Sequence, residues 1–366
     1  MNTTLRSPTR REFLQALAAT TTSLAIAPPL SAQPNPARTK LGFDNFSMRA
    51  FGWKAHQLID YAASLKLDSL FITNLDALER FEEPYLGEVK ARARDQGLDL
   101  LLGSWSICPT SKAFRNTWGA AEEHLRLGLR LAKALGSPVF RCVLGTREDR
   151  RTDGGIERRI EDTVKVCQAV RSQALDAGVK IAIENHAGDM QAWELITLVE
   201  AAGKDCVGVT FDSGNVTWTL EDPVDSLTQL APYVLCTHIR DSMIWETDEG
   251  AKVAWTAIGE GCNDAKAFFA KLTQLCPGMP VHAEIISGFN IEFPYLKPEF
   301  WDAWPKARGA AFAQFLALAR KGRAVPPFRP ADGEDRRGAE QAYQKAELER
   351  SLAYCRNVIG LGRQAA

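Results

Sequence analysis

A closed (β/α)₈ barrel of the α/β class, the TIM barrel architecture, with an extra C-terminal helix, is the fold this sequence predicts. Three observations predict it. Eight short apolar β-like runs recur from Lys40 onward, and amphipathic helical stretches separate them. That alternation implies parallel strands joined by crossover helices, and eight such units suggest closure into a barrel. The first run, LGFDNFSMRAFGW, lacks the Gly-rich loop that usually follows the first strand of an open doubly wound sheet.

The strand candidates are LGFDNFS (41–47), LDSLFITN (67–74), LDLLLGSWS (98–106), PVFRCVLG (138–145), KIAIENH (180–186), VGVTFDSG (207–214), YVLCTHIRD (233–241) and PVHAEIIS (280–287). Between the fourth and fifth, Ile160, Val164, Cys167, Val170 and Ala174 recur at helical spacing up to Gly178, where a left-handed C-terminal residue is expected. Between the third and fourth, Thr117 is placed to cap a helix with Leu125, Leu129 and Ala132 on one face and Gly136 past its end.

The chain divides into three segments. Residues 1–35 form an export signal: Arg10 and Arg11 precede Phe13 and Leu14, a short apolar run follows, and SAQP closes it with a cleavage point after Ala32. The paired arginines resemble a twin-arginine signal, which implies the twin-arginine export machinery as a partner and a periplasmic or secreted destination. The run is too short and too rich in Thr and Pro for a stable membrane span. Residues 36–323 are the barrel. Residues 324–366 are a Pro- and charge-rich linker, AVPPFRPADGEDRRG, followed by a helix over 339–361 that packs on the barrel or on a second subunit of a homo-oligomer.

Composition narrows the function. The 366 residues are 45% apolar with a formal net charge of −1, enough for one large core and without the basic field that holds nucleic acid. None of the eight cysteines forms a Cys-x-x-Cys pair, which argues against a structural zinc cluster. An exported compartment permits disulfides, whose pairing the spacing leaves open.

In a barrel of this kind, side chains at the C-terminal strand ends converge on one mouth. Glu184, Asp212, His238 and Glu284 end four consecutive apolar strands. Three carboxylates buried together are very costly without a cation. A divalent metal removes that cost, and three oxygen donors with one nitrogen favour Mn²⁺, with Mg²⁺, Co²⁺ or Zn²⁺ as alternatives.

The pattern ENH, FDSGN, HIRDS, GEGCND and a final strand carrying AE resembles the sugar phosphate isomerase/epimerase family, the xylose isomerase-like barrels, over about residues 40 to 320. The resemblance implies that Glu184, Asp212, His238 and Glu284 bind the metal, and that Glu184 and Glu284 are also the catalytic acid–base pair on opposite faces of a sugar. Two positions depart from the family: Asn215 stands where many epimerases have a histidine, and Arg240 where others have a lysine. An asparagine can hydrogen-bond a hydroxyl but cannot take up a proton at neutral pH, which bears on how directly the ketose-epimerase assignment transfers.

The implied reaction is metal-dependent proton abstraction next to a carbonyl, through an enediolate. Return of the proton gives an epimer or an isomer, and loss of a β-substituent gives elimination. An exported enzyme points to a non-phosphorylated sugar or keto-sugar. The alternatives are a lyase that removes the aglycone of 3-keto-glycosides and a non-catalytic sugar-binding protein. His186, on the side of Glu184, is a candidate substrate or outer-sphere contact, as are Asn215, Arg240 and Trp105; Arg240 has a rim salt bridge with Asp241 as its alternative. Trp53, Trp218 and Trp245 are further stacking candidates. His282 reads as structural; Gly259, Gly261 and Asp264 resemble the family's loop after strand seven, with the glycines as turn formers. A DNA-repair nuclease of similar fold needs a histidine-rich zinc site, whereas this chain has five histidines in all and no basic stripe.

Overall fold

The computed structural model describes residues 38–363. The twin-arginine signal and its cleavage point lie outside the described residues.

Each of the eight apolar runs contributes one strand of a parallel sheet. They are β1 (Leu41–Asp44), β2 (Ser69–Ile72), β3 (Asp99–Ser106), β4 (Val139–Val143), β5 (Lys180–Glu184), β6 (Val207–Asp212), β7 (Val234–His238) and β10 (Val281–Ala283). Their order is β10-β1-β2-β3-β4-β5-β6-β7, and a parallel bridge between Ile239 and Ala283 brings the two edges together. Strands covered on both faces read as near-continuous apolar runs, which is why they are legible one by one. Phe71, Leu101, Val139, Ala182 and Cys236 form a small apolar cluster of their own. It fills the barrel toward the N-terminal ends of the strands, so the interior is a packed core with one open end.

The surrounding helices are α1 (Ala55–Ser64), α2 (Glu83–Asp95), α3 (Ala121–Leu135), α4 (Gly155–Ala169), α5 (Arg171–Ala177), α6 (Ala192–Ala202), α7 (Pro223–Leu230), α8 (Ala265–Leu275), α9 (Gly309–Ala319) and α10 (Arg336–Tyr354). The helix read through Gly178 is two helices. Val170 leaves helical geometry at φ −113°, ψ 7°, and Gly178 ends the second piece at φ 67°. The apolar spacing survives the break because both pieces turn the same face to the barrel.

Thr117 is not the cap of α3. It sits in a 3₁₀ turn, Asn116–Trp118, and the helix begins four residues later. There the Glu123 carboxylate reaches back to accept from the Ala120 amide at 2.8 Å. A side chain in the third helical position has replaced the expected hydroxyl, which leaves the turn free to shape the barrel mouth.

A second sheet was not legible as strands. β8 (Asp241–Thr247), β9 (Gly250–Thr256) and β11 (Asn290–Phe293) form an antiparallel unit in the order β11-β9-β8. β8 and β9 occupy the long interval between β7 and α8, where the sequence predicts only a loop, and β11 follows β10. α9 packs on this sheet, and Ile244, Val253, Trp255, Phe293 and Phe315 build a separate apolar cluster.

The C-terminal helix is present as α10, followed by a wide turn over Cys355–Ile359. It packs on the barrel. Its Gln344 side chain accepts from the Ala50 amide at 3.0 Å, and its Glu347 carboxylate accepts from Ser287 Oγ at 2.7 Å. Leu348 and Leu352 are buried beneath it. All eight cysteines are free. Among the described residues, no helix is long and apolar enough to cross a membrane.

Candidate metal centre

Four strand ends place Glu184, Asp212, His238 and Glu284 on one another. Each offers one ligand atom, all within 4.8 Å of each other, and all four side chains are buried. The register explains the convergence: Asp212 lies directly beside His238 across β6 and β7, and Thr210, two residues earlier, pairs with Glu184. Side chains two apart on a strand share a face, so all these positions point into the barrel.

The backbone around Asp212 is tightly specified. Asn185 bridges to it, accepting from the Asp212 amide at 2.9 Å and donating to its carbonyl at 2.8 Å. The Asp212 carboxylate accepts from the amides of Gly214 and Asn215, each at 2.8 Å. Gly214 is required by close approach: a Cβ there would collide with the Arg240 side chain.

Two guanidiniums and a fourth carboxylate complete the cluster. Arg141 donates Nε–H to Glu184 at 2.5 Å and Nη1–H to the Ser104 carbonyl at 2.8 Å. Arg240 bridges Asp212 and Glu284. It does not pair with Asp241, whose carboxylate is taken by the amides of Ser242, Gly259 and Gly261. The Gly-x-Gly segment is therefore a turn around a carboxylate. Asp264 caps α8, accepting from the Ala267 amide at 3.0 Å. Asp44, at the end of β1, lies 3.4 Å from His238 Nε2, while His238 Nδ1 is 2.8 Å from Glu184 and 3.6 Å from Glu284.

The electrostatics follow from this crowding. Burial penalises the Glu184 carboxylate, but Arg141 and then His238 hold it well below the usual carboxylate range. Glu284 is likewise held down, by Arg240 and His238 against burial. Burial pushes Asp212 well up, with Arg240 only partly offsetting it, and pushes Asp44 up to about 7. Burial disfavours the His238 imidazolium, yet Glu284, Glu184 and Asp44 raise it to about 9.

This donor set fits a divalent cation. Four carboxylates face two guanidiniums, and the excess of two negative charges is met by protons on His238 and on a raised carboxylate such as Asp212, which a divalent cation can displace. Asp44 Oδ2 and His238 Nε2 are buried without a hydrogen-bond partner. Buried charge of this kind is stable only when paired or bound to metal. Glu184, Asp212, His238 and Glu284 can hold such an ion.

A cavity of about 430 Å³ opens above the cluster, lined at its base by Glu284, Arg240, Arg141 and Asn215 and at its sides by Trp105, Trp118, Trp218, Trp255 and His186. Asn215 donates to Glu184 at 3.1 Å. The His186 ring lies edge-on to Trp105, centroids 5.1 Å apart, with Nδ1 2.7 Å from the Gly145 carbonyl. Arg240 lies 4.3 Å over the Trp255 ring, which stacks on Trp218 at 4.2 Å. Asn215 Oδ1, Trp218 Nε1 and two nitrogens of Arg240 have no partner. Buried polar atoms of this kind call for a hydrogen-bonding ligand.

Trp53 packs at a tilt against Phe51 and Tyr61 instead, and Trp245 lies in β8; neither lines this cavity. His282 is held in the barrel interior by Ser69 Oγ at 2.9 Å. A second cavity, about 450 Å³, surrounds Arg150. That guanidinium is fully engaged by Glu194, the Gly188 and Ala303 carbonyls and the Trp304 ring 3.6 Å away. The unmet charge therefore sits under the first cavity, not the second.

Sequence reasoning missed Asp44, Arg141, Trp118, Trp255 and His124. The first two carried a signal already in use, a charge interrupting or ending an apolar strand. Trp255 lies in the unanticipated sheet. His124 reaches the cavity from α3 and pairs with Ser104 Oγ at 2.7 Å.

Comparison with known proteins adds a family. A profile described as the xylose isomerase-like TIM barrel matches residues 54–299. The uncharacterised protein YihM of Escherichia coli K12 is 29% identical over 131 residues, which span 36% of this chain and 39% of that protein. The 3-oxo-isoapionate decarboxylase of Pectobacterium atrosepticum is 22% identical over 205 residues, 53% of this chain and 67% of that one. Among solved structures, a D-psicose 3-epimerase with D-fructose superposes at TM-score 0.58 and 16% identity, covering 88% of this chain and 99% of its own. The 3-keto-D-glucoside 4-epimerase YcjR of E. coli superposes at TM-score 0.51 and 13% identity, covering 77% and 99%. At such identities the structural likeness speaks for the fold.

Proposed function

The chain belongs to the xylose isomerase-like TIM barrel family, and on that premise we propose that it is a divalent-metal-dependent sugar isomerase or epimerase acting on a non-phosphorylated sugar or keto-sugar. One observation carries the reading: four ligand-type side chains converge under a cavity whose wall residues have polar atoms without partners. Sugar epimerases and a keto-glucoside epimerase among the structural neighbours support it.

When bound, the ion supplies Lewis-acid polarisation of the sugar carbonyl, which acidifies the adjacent C–H. Mn²⁺ suits three oxygen donors and one nitrogen, with Mg²⁺, Co²⁺ or Zn²⁺ as alternatives. Glu284 lines the cavity and is held ionised, so it can accept a proton from a carbon beside the carbonyl. Glu184 lies one hydrogen bond deeper, behind Asn215, and is the second member of the pair. Asn215, Arg240, His186 and Trp105 position the sugar. Asn215 donates and accepts hydrogen bonds but moves no proton, which leaves the acid–base work to the two glutamates.

Loss of a β-substituent from the same enediolate is the second reading. It would make the chain a lyase of 3-keto-glycosides, the type of sugar named for one neighbour. The Glu284→Gln variant distinguishes enzyme from binding protein. It should still bind sugar and should lose turnover; turnover that survives would remove Glu284 from the chemistry. Export by the twin-arginine route to the periplasm or beyond is part of the proposal. Arg10→Lys with Arg11→Lys should retain the protein in the cytoplasmic fraction.

A further inference from the structure

The cavity above the carboxylates carries Glu284, Arg240 and Asn215 at its base, and the rings of Phe46, Trp105 and Trp118 line it among the polar side chains of Asn74, Asp76, Arg115 and Thr117. Phe46 is 38% exposed, one of few large apolar side chains among the described residues left so open. It stands at the start of the 3₁₀ segment Asn45–Phe51, with its amide fixed to the Asp44 carboxylate at 2.7 Å. That bond fixes the backbone carrying the ring, two residues after Asp44 of the carboxylate cluster.

The other two rings are also held in place. The Trp105 indole N–H donates to the Ala113 carbonyl at 2.8 Å. Trp118 belongs to the turn that displaces the start of α3, and it leans on Phe81 at 5.3 Å. Exposed apolar surface around a polar pocket marks a ligand with an apolar part. A volume of about 430 Å³ lies in the drug-sized range, roughly 300–1,000 Å³, and exceeds what a single pyranose fills. Fixed flat rings favour a flat partner, which gains offset stacking as well as burial.

We propose that the natural ligand is a glycoside with an aromatic aglycone, its sugar on the carboxylate base beside Trp105 and its aglycone beyond it, against Phe46 and Trp118. This rests on the sugar reading above and adds the other half of the substrate. An alkyl aglycone is the competing occupant.

The test is calorimetric titration of the purified chain loaded with Mg²⁺, using methyl, hexyl and 4-nitrophenyl glucosides in both anomeric forms. The 4-nitrophenyl glucoside should bind about tenfold more tightly than the methyl glucoside. In Trp118→Ala, and separately in Phe46→Ala, the ratio between those affinities should fall toward one. Phe46 is exposed, so its variant tests the proposal even if the tryptophan variant misfolds. Equal affinities, hexyl binding as tight as aryl, or no binding of any glucoside would overturn the inference. Deuterium exchange into a keto-sugar tests the proposed chemistry independently. Exchange without aryl preference removes the aglycone site alone, and aryl preference without exchange supports the site while removing the enzymatic reading.

Discussion

The two halves of the barrel end differently. In the second half, β5, β6, β7 and β10 lead into Glu184, Asp212, His238 and Glu284, whose ligand atoms meet at one point. In the first half, β1 ends in Asp44 and β3 carries Trp105, while β4 carries Arg141, which reaches across to Glu184. The second half carries the four converging side chains together with Arg240, and the first adds one further carboxylate, Asp44, a second guanidinium, Arg141, and part of the aromatic wall. Strand geometry is the same in both, so function resides in the side chains set on equivalent positions.

The comparison breaks most visibly at the glutamates. Glu184→Gln and Glu284→Gln should each lower turnover by about 10²–10⁴-fold, the usual range for a general acid or base. A steady-state rate within tenfold of the parent would show that the second half holds ligands without doing the chemistry.

Dependence of one half on the other is tested at Arg141. Arg141→Met leaves Glu184 buried without its main partner, and breaking a buried pair costs about 3–5 kcal/mol. Urea denaturation of the metal-free chain should show that loss, and Arg141→Met with Glu184→Leu should recover part of it. Unchanged stability in the single variant would make the halves independent.

Within the second half, Asn185→Ala removes the bridge to Asp212 without touching a ligand side chain. Outer-sphere losses of this kind weaken metal binding by about 10–100-fold, measurable by titration with Mn²⁺. Unaltered affinity would mean that the β6 backbone alone positions Asp212.

The smallest effect concerns protons shared by both halves. Burial depresses His124 to about 4 and His282 to about 3, from about 6.5 in the unfolded chain. The unfolded state binds protons that the folded state refuses, so this contribution is intact above pH 6.5 and is lost as pH falls toward 4. Each histidine should cost up to about 2 kcal/mol at pH 5. Melting curves at pH 7 and pH 5 should lie closer together in His124→Asn and in His282→Asn than in the parent; an equal gap would contradict the assignment.

The same contrast explains what was legible in the sequence. The eight strands were readable because each is an apolar run buried on both faces. Glu184, Asp212, His238 and Glu284 stood out as polar ends to such runs. Asp44 in LGFD ends its strand by the same rule, and Arg141 in PVFRCV interrupts one, but neither lies on the four consecutive strands that end in Glu184, Asp212, His238 and Glu284. The antiparallel sheet was illegible for another reason: its strands alternate burial weakly at the sheet edge, as in IWET, and no helical unit brackets them. His124 was hidden because helical periodicity reports which face is buried and not that the first turn of α3 abuts the barrel mouth.

The central claim, that this centre removes a proton beside a sugar carbonyl, is tested most directly by proton NMR in D₂O. The purified chain, stripped of Mn²⁺ and supplied with Mg²⁺, would be offered free ketoses, aldoses and 3-keto-glycosides. Metal-dependent loss of the C–H signal next to the carbonyl is the predicted result, and the product formed alongside it identifies epimerisation, isomerisation or elimination. No exchange with any of these sugars, with metal bound stoichiometrically, would contradict it.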